Sequence, residues 1–77
     1  MRRYKNRSGR SGIQAFESGP EFIRIRFRDE DLIYIYNYTQ PGKTDVEVMK
    51  RLAEAGRGLS TYISRYVRER YAHRQAV

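Results

Sequence analysis

The sequence predicts an α+β fold: a three-stranded antiparallel sheet (β-β-β) followed by two helices packed on one face of the sheet. Three short segments rich in strand-forming residues come first, and two segments with apolar residues at helical spacing follow them. This order is typical of an antiparallel sheet whose helices lie on one side. Since 77 residues form one small domain, we expect a flexible basic arm over residues 1–12, the domain over 13–72 and a frayed tail over 73–77.

Turn signals separate the three predicted strands. The first strand covers residues 13–17 and ends at the turn sequence Ser-Gly-Pro. The second, over residues 22–28, reads F-I-R-I-R-F-R, so its isoleucines share one face and its arginines share the other. The third, over residues 32–38, reads L-I-Y-I-Y-N-Y and is rich in residues that favour strands. The short acidic segment between the second and third strands predicts an antiparallel hairpin.

The register of this hairpin decides which side chains of the third strand face the helices. With residues 29–30 as a two-residue loop, Tyr34 and Tyr36 face the core, while Ile33 and Ile35 lie beside the arginines. A loop longer by one residue reverses both pairs, because a shift of one residue turns every side chain to the other face. We favour the first register, since two-residue hairpin loops are the most common.

The first helix is predicted after the turn at Pro41. Residues 44–47 form a capping box, in which Thr44 caps the first turn and Glu47 reaches back to the backbone. We expect this helix to continue to about Ala55. Its apolar stripe comprises Val46, Met49, Leu52 and Ala53.

A second helix is expected over residues 60–72, after Gly56 and Gly58 interrupt the first. Its apolar face comprises Leu59, Tyr62, Ile63, Tyr66 and Val67. The segment Gly56-Arg57-Gly58 offers backbone amides and a guanidinium group to a phosphate. A single G-x-G is weak evidence for that role, and we favour the simpler interpretation that Gly56 ends the first helix in a left-handed conformation.

Positive charge is concentrated at both ends of the chain. There are 16 Lys and Arg against 9 Asp and Glu, a formal charge of +7. Residues 1–12 and 57–77 are strongly basic, whereas acidic side chains outnumber basic ones over residues 13–56. Clustered cations favour a polyanionic partner, because neutralising phosphates releases counterions. We therefore predict a small module that binds RNA or single-stranded nucleic acid.

The predicted contacts form three groups. Along the second strand, alternate residues place three arginines on one face at intervals of about 6.6 to 7 Å, and Phe22 beside them could stack on a base. An ordinary solvated strand face would show the same alternation. The candidate nucleic-acid contacts are Arg2, Arg3, Lys5, Arg7 and Arg10 in the arm, Arg24, Arg26 and Arg28 in the second strand, and Arg57, Arg65 and Arg68 towards the C-terminus.

The apolar residues of the third strand support an alternative function, a protein–protein interaction or homodimerisation module. In the favoured register, Ile33 and Ile35 form an uncovered strip on the sheet face opposite the helices. The tyrosines of the same strand have two interpretations as well. Facing outward, Tyr34 and Tyr36 would form a stacking platform for bases; facing inward, which we favour, they pack against the tyrosines of the second helix, Tyr62 and Tyr66.

No group of residues forms a convincing catalytic or metal site. The chain has no cysteine, and its one histidine, His73, lies close to the C-terminal end. The acidic cluster over residues 29–31 falls at a hairpin tip and lacks the spread of oxygen ligands that a calcium loop needs. We therefore expect no enzyme activity, no metal ion, no cofactor and no small-molecule substrate.

The hydropathy pattern predicts a cytoplasmic protein without a membrane span. No apolar run approaches the ~20 residues of a transmembrane helix. The basic N-terminal segment is not followed by the apolar stretch of a secretory signal. The absence of cysteine agrees with a reducing compartment.

Several short motifs resemble those of the KTSC domain. They are a Ser-Gly-Ile start at residues 11–13, a Y-x-Y at residues 34–36, the Pro41 loop, and a Gly-x-x-hydrophobic entry into a last helix that ends in Arg-Glu-Arg-Tyr at residues 68–71. The KTSC domain is found at the C-terminus of some lysyl-tRNA synthetases and as a stand-alone bacterial protein. The resemblance implies a small domain with an RNA-related role.

Overall fold

A computed structural model describes residues 1–7, 9 and 11–77 of the chain. Its sheet has five antiparallel strands, which follow one another in sequence order from edge to edge. The strands are β1 (Arg2–Arg3), β2 (Ile13–Ser18), β3 (Phe22–Phe27), β4 (Leu32–Asn37) and β5 (His73–Ala76). The helices are α1 (Lys43–Ala55) and α2 (Leu59–Tyr62), and α2 continues directly as a π-helical segment, Ile63–Val67.

The predicted α+β class is correct, but the predicted three-stranded sheet is wrong, because each end of the chain adds an edge strand. β1 pairs with β2, and β5 pairs with β4. All residues of both edge strands are exposed, so neither strand has the alternation of apolar and polar residues that predicts a strand from sequence. Residues 2–3 of the expected arm and 73–76 of the expected tail are therefore part of the sheet.

The segment after β1 is anchored to the helices. Tyr4 is only 3% exposed, and its hydroxyl oxygen accepts a hydrogen bond from the backbone N–H of Leu59 at 3.4 Å. Arg7 donates its backbone N–H to the carbonyl of Gly56 at 2.7 Å and its Nε to the carbonyl of Ala55 at 2.9 Å. These bonds satisfy carbonyls at the C-terminal end of α1 that have no partner within the helix.

The pairing of β3 with β4 confirms the predicted register. Ile23 lies opposite Tyr36, and Ile25 lies opposite Tyr34. Tyr36 is 1% exposed, and Tyr34 is half-buried. Both tyrosines therefore face the core, but the aromatic ring that they both meet edge-on is that of Tyr71 and not those of the second helix.

A β-bulge interrupts the pairing of β2 with β3. Ile13 pairs with Phe27 and Ala15 pairs with Arg26, which leaves Gln14 as an extra residue. Ile13 and Phe16 are both buried although they are three residues apart, a spacing that would put them on opposite faces of a regular strand. The bulge resolves this conflict, since the two residues between them both turn away from the core.

Helix α1 confirms the predicted apolar stripe, because Val46, Met49 and Ala53 are buried in the core. The predicted capping box is wrong. The helix begins at Lys43 with Gly42 as its N-cap and has no side-chain cap, so Thr44 lies inside the first turn. At its other end, Gly56 has a φ of 78°, which confirms the predicted left-handed termination.

The second helix is shorter than predicted. It ends at Arg68, which has a φ of 50° and cannot continue a right-handed helix. The buried residues Leu59, Ile63 and Val67 repeat every fourth position, and the π-helical winding keeps this spacing on one side. Tyr66, predicted on the apolar face, is 58% exposed.

Candidate nucleic-acid interface

The two faces of the sheet differ in what covers them. Inward-facing side chains such as Ile23, Ile25 and Tyr36 share one core with the buried residues of both helices. We call the opposite surface the open face. One row across it consists of Arg3, Ala15, Arg26, Ile33 and Gln75, and the next row consists of Glu17, Arg24, Ile35 and His73.

The three arginines predicted along β3 lie on this open face and differ in their surroundings. Arg24 is partly buried and forms an ion pair with Glu17 at 2.8 Å. Arg26 is half-buried between Ala15 and Ile33, and its buried Nε makes no hydrogen bond. Arg28, directly after β3, is exposed. Neither Arg26 nor Arg28 takes part in an ion pair within the described part of the chain.

Arg3 adds a fourth guanidinium group to the open face. It stands opposite Ala15 on β2, so it points away from the core, whereas its neighbour Arg2 points towards it. Arg3 and Ala15, together with Gln14 and Arg28, line an open depression of about 680 Å³. Two basic residues from different parts of the chain therefore line one depression at this end of the arginine row.

An aromatic side chain occupies the other end of the row. Phe22 and Ile35 line a shallow depression of about 290 Å³, with the carboxylate residue Glu21 also on its wall. The ring of Phe22 lies directly over Gly19, where a Cβ atom would collide with it. Gly19 thus lets the ring lie close to the turn. From Phe22 to Arg28 the row extends about 20 Å, at ~3.4 Å per residue.

Most of the other predicted contacts lie on the helix side of the sheet and are engaged within the fold. Arg2 forms an ion pair with Glu54, and its guanidinium lies 4.7 Å from the centroid of the Phe16 ring. Arg68 donates its Nε to the carbonyl of Ser64 at 3.1 Å. Arg7 binds the end of α1, Lys5 packs against Gly56, and Arg57 and Arg65 are exposed. Arg10 lies outside the described residues.

A polar cluster on the helix side ties α2 and the segment after the π-helix to α1. The hydroxyl of Tyr62 donates to Asp45 at 2.5 Å, and Arg70 binds the other carboxylate oxygen of Asp45 at 2.9 Å. Burial, together with the hydrogen bond to Asp45, raises the pKa of Tyr62 to about 12. Arg70 is therefore another cation on the helix side that is paired with a carboxylate.

The apolar strip predicted for an interface is smaller than expected. Ile33 is only 8% exposed, because it lies between Arg26 of β3 and Gln75 of β5. The prediction of an uncovered strip is therefore wrong at Ile33. Ile35 is half-buried between Arg24 and His73, and it remains part of the depression beside Phe22.

The chemistry available on the open face is electrostatic attraction, hydrogen-bond donation and stacking. His73 lies there as an exposed residue opposite Ile35.

Across residues 1–7, 9 and 11–77, no group of three His, Asp or Glu side chains is placed to hold a metal ion. The helices of the described residues are also too short or too polar to cross a bilayer.

Comparison with protein-family models, curated proteins and solved structures finds no match to this chain. Geometry alone therefore defines the candidate site. Sequence reasoning predicted Arg3, Arg26 and Arg28 as contacts but missed Gln14, which the bulge brings beside them. The signal for it was the pair of apolar residues Ile13 and Phe16, whose odd spacing requires an irregular strand.

Proposed function

We propose that the protein binds RNA or single-stranded nucleic acid on the open face of its sheet, and that it acts as a binding module rather than as an enzyme. One observation carries the proposal: Arg3, Arg26 and Arg28 share a face without a helix, and none of them is paired with a described carboxylate. Guanidinium groups of this kind suit phosphate, because they donate two parallel hydrogen bonds to its oxygens.

The shape of the face favours a single strand over a duplex. The row of arginines along β3 supplies cations at two-residue intervals, which follows a flexible backbone without a groove to enter. Phe22 at the end of the row offers a ring on which an unpaired base can stack. Bases inside a duplex already stack on one another and do not present their faces.

Contacts to phosphate oxygens give affinity without strong sequence preference. The cations on the helix side support binding less, since Arg2 and Arg70 are already neutralised by carboxylates. The KTSC resemblance, which implies an RNA-related role, agrees with the proposal and stays a prediction. The RNA-binding role and the open face as its location are separate parts of the proposal, and one experiment addresses both.

The experiment compares two double variants that lose equal charge. Arg26→Gln with Arg28→Gln alters the open face, and Arg57→Gln with Arg65→Gln alters exposed positions on the helix side. Binding of a fluorescent single-stranded RNA is measured by anisotropy at several salt concentrations. Far-UV circular dichroism and thermal unfolding verify that each variant is folded.

We expect the open-face variant to weaken binding at least about tenfold, at ~1.4 kcal/mol per factor of ten, and the helix-side variant to change it much less. At ~0.7 per phosphate contact, the log–log salt slope should be near −2 for three contacts and should fall by about 1.4 in the open-face variant. Equal losses in the two variants would contradict the location. Unchanged affinity of the parent protein between low and moderate salt would contradict nucleic-acid binding itself.

A further inference from the structure

The depression at the Arg28 end of the open face is built by three separate parts of the chain. Arg3 comes from β1, Gln14 and Ala15 come from the bulge in β2, and Arg28 follows β3. Ala15 has the smallest side chain among the lining residues, which also include Met1 and Tyr4. The result is a concave site with two cations and one side-chain amide.

Backbone hydrogen bonds hold the walls of this depression in place. The N–H of Arg28 donates to the carbonyl of Gly12 at 2.6 Å, and the N–H of Tyr4 donates to the carbonyl of Gln14 at 3.0 Å. Tyr4 is itself buried in the core. The positions of Arg3 and Arg28 are therefore set by paired strands rather than by a free terminal arm, so less ordering is needed when a ligand binds.

The charges of the depression are uncompensated within the described residues. Arg3 and Arg28 are absent from the ion pairs of this part of the chain. The acidic hairpin loop follows Arg28 directly, yet no Asp or Glu is among the residues that line the depression. Within that loop, Glu30 accepts a hydrogen bond from the hydroxyl of Tyr34 at 2.7 Å.

We infer that this depression binds the terminal phosphate group of a nucleic-acid strand, an inference that rests on the proposed function. A terminal phosphomonoester carries a charge of about −1.5 to −2 at pH 7 and three strong acceptor oxygens, whereas an internal phosphodiester carries a single charge. Two guanidinium forks and the amide of Gln14 match the larger charge and the additional oxygen. Single arginines along β3 match internal phosphates. The bound nucleic-acid strand would therefore end at the depression lined by Arg3 and Arg28.

The experiment uses three RNA oligonucleotides of one sequence, with a 5′-phosphate, with a 3′-phosphate, and with hydroxyl groups at both ends. Affinities for the full chain are measured by competition against one fluorescent strand. We expect one phosphorylated form to bind about tenfold more tightly than the hydroxyl form, which corresponds to ~1.4 kcal/mol. Which of the two forms is preferred gives the direction of the strand on the sheet.

Two variants assign this preference to the depression. Arg28→Gln should weaken binding of all three strands and remove the difference between them. Gln14→Ala, which removes no charge, should reduce the preference for the phosphorylated form without abolishing binding. Arg65→Gln, an exposed position on the helix side, serves as the control and should keep the full preference.

The outcomes separate this inference from the proposed function. Measurable and equal binding of the three strands would overturn the terminal-phosphate site and leave nucleic-acid binding standing. A preference that persists unchanged in both Arg28→Gln and Gln14→Ala would overturn the assignment to this depression. Absence of binding by all three strands would overturn both proposals together.

Discussion

The arginines on the two faces of one sheet differ in their partners, although the division is not complete, since Arg24 on the open face is paired with Glu17. On the helix side, Arg2 and Arg70 are paired with carboxylates of α1, and Arg7 binds carbonyls at the end of the same helix. On the open face, Arg26 and Arg28 have no such partner within the described residues. The comparison teaches that net charge does not locate a binding surface. Under our proposal, what locates it is a group of cations that share one face and have no carboxylate partner among the described residues.

The difference originates in the period of two along β3. The same six residues place Ile23 and Ile25 in the core and Arg24 and Arg26 on the open face. Burying the isoleucines stabilises the domain, at about 1.5–3 kcal/mol for a fully buried side chain. Arg24 and Arg26 lie outside this core and contribute little to its stability. Their side chains can therefore serve binding instead.

The largest expected effect comes from shortening one isoleucine on each face. Ile23→Ala removes a fully buried side chain from the core and should lower the free energy of unfolding by about 2–5 kcal/mol. Ile35→Ala, on the open face and half-buried, should lower it by about 1 kcal/mol or less, since little cavity is left behind. Urea unfolding measures both values. Similar losses in the two variants would show that the open face is covered in solution, by a second copy or another partner.

An intermediate effect is expected from removing one ring on each side, the partly buried Phe22 on the open face and the exposed Tyr66 on the helix side. Phe22→Ala should weaken binding of single-stranded RNA by about 1–3 kcal/mol, the range for one stacked base. Tyr66→Ala is the matched control, since Tyr66 is 58% exposed on the helix side and its ring centroid lies 4.9 Å from that of Tyr62. Anisotropy titrations give both affinities. If Tyr66→Ala weakens binding as much as Phe22→Ala does, the strand lies on the wrong side of the sheet for our proposal.

The parts of the fold predicted correctly from sequence are those in which burial dictates the pattern. The hairpin register was predicted correctly from the alternation in β3, although residues 28–31 all lie outside the two strands, and the α1 stripe follows from helical spacing. The edge strands were missed because exposed residues such as Arg3 and His73 carry no apolar pattern, although both strands pair with the sheet through their backbones. The end of the second helix was missed because Arg68 adopts a positive φ that is uncommon for arginine.

The candidate site was predictable in its residues but not in its shape. Alternation predicted that Arg24, Arg26 and Arg28 share a face, and this holds. Arg3 was predicted as a contact within a flexible arm, and only strand pairing places it beside Arg28. Sequence could not show which arginines are paired, because Glu54 is 52 residues from Arg2 and the pairing of Arg24 with Glu17 depends on the register of β2 with β3.

The smallest expected effect comes from releasing one arginine on each face. Glu17→Gln removes the carboxylate that binds Arg24, and Glu54→Gln removes the one that binds Arg2. Both substitutions raise the net charge by the same amount, so general attraction of RNA rises equally in both. Exposed ion pairs are worth about 0.2–1 kcal/mol, so neither variant should lose much stability.

Glu17→Gln alone frees a guanidinium in the row along β3, between Phe22 and Arg26, where a phosphate of the bound strand would lie. We expect it to tighten RNA binding about two- to fivefold and to steepen the salt slope by about 0.7, the contribution of one contact. Glu54→Gln should tighten binding less and leave the slope unchanged, because Arg2 is on the other side of the sheet. Anisotropy titrations over a salt series measure both quantities. Equal gains in RNA affinity in the two variants would mean that total charge governs binding. The open face would then not be the binding surface.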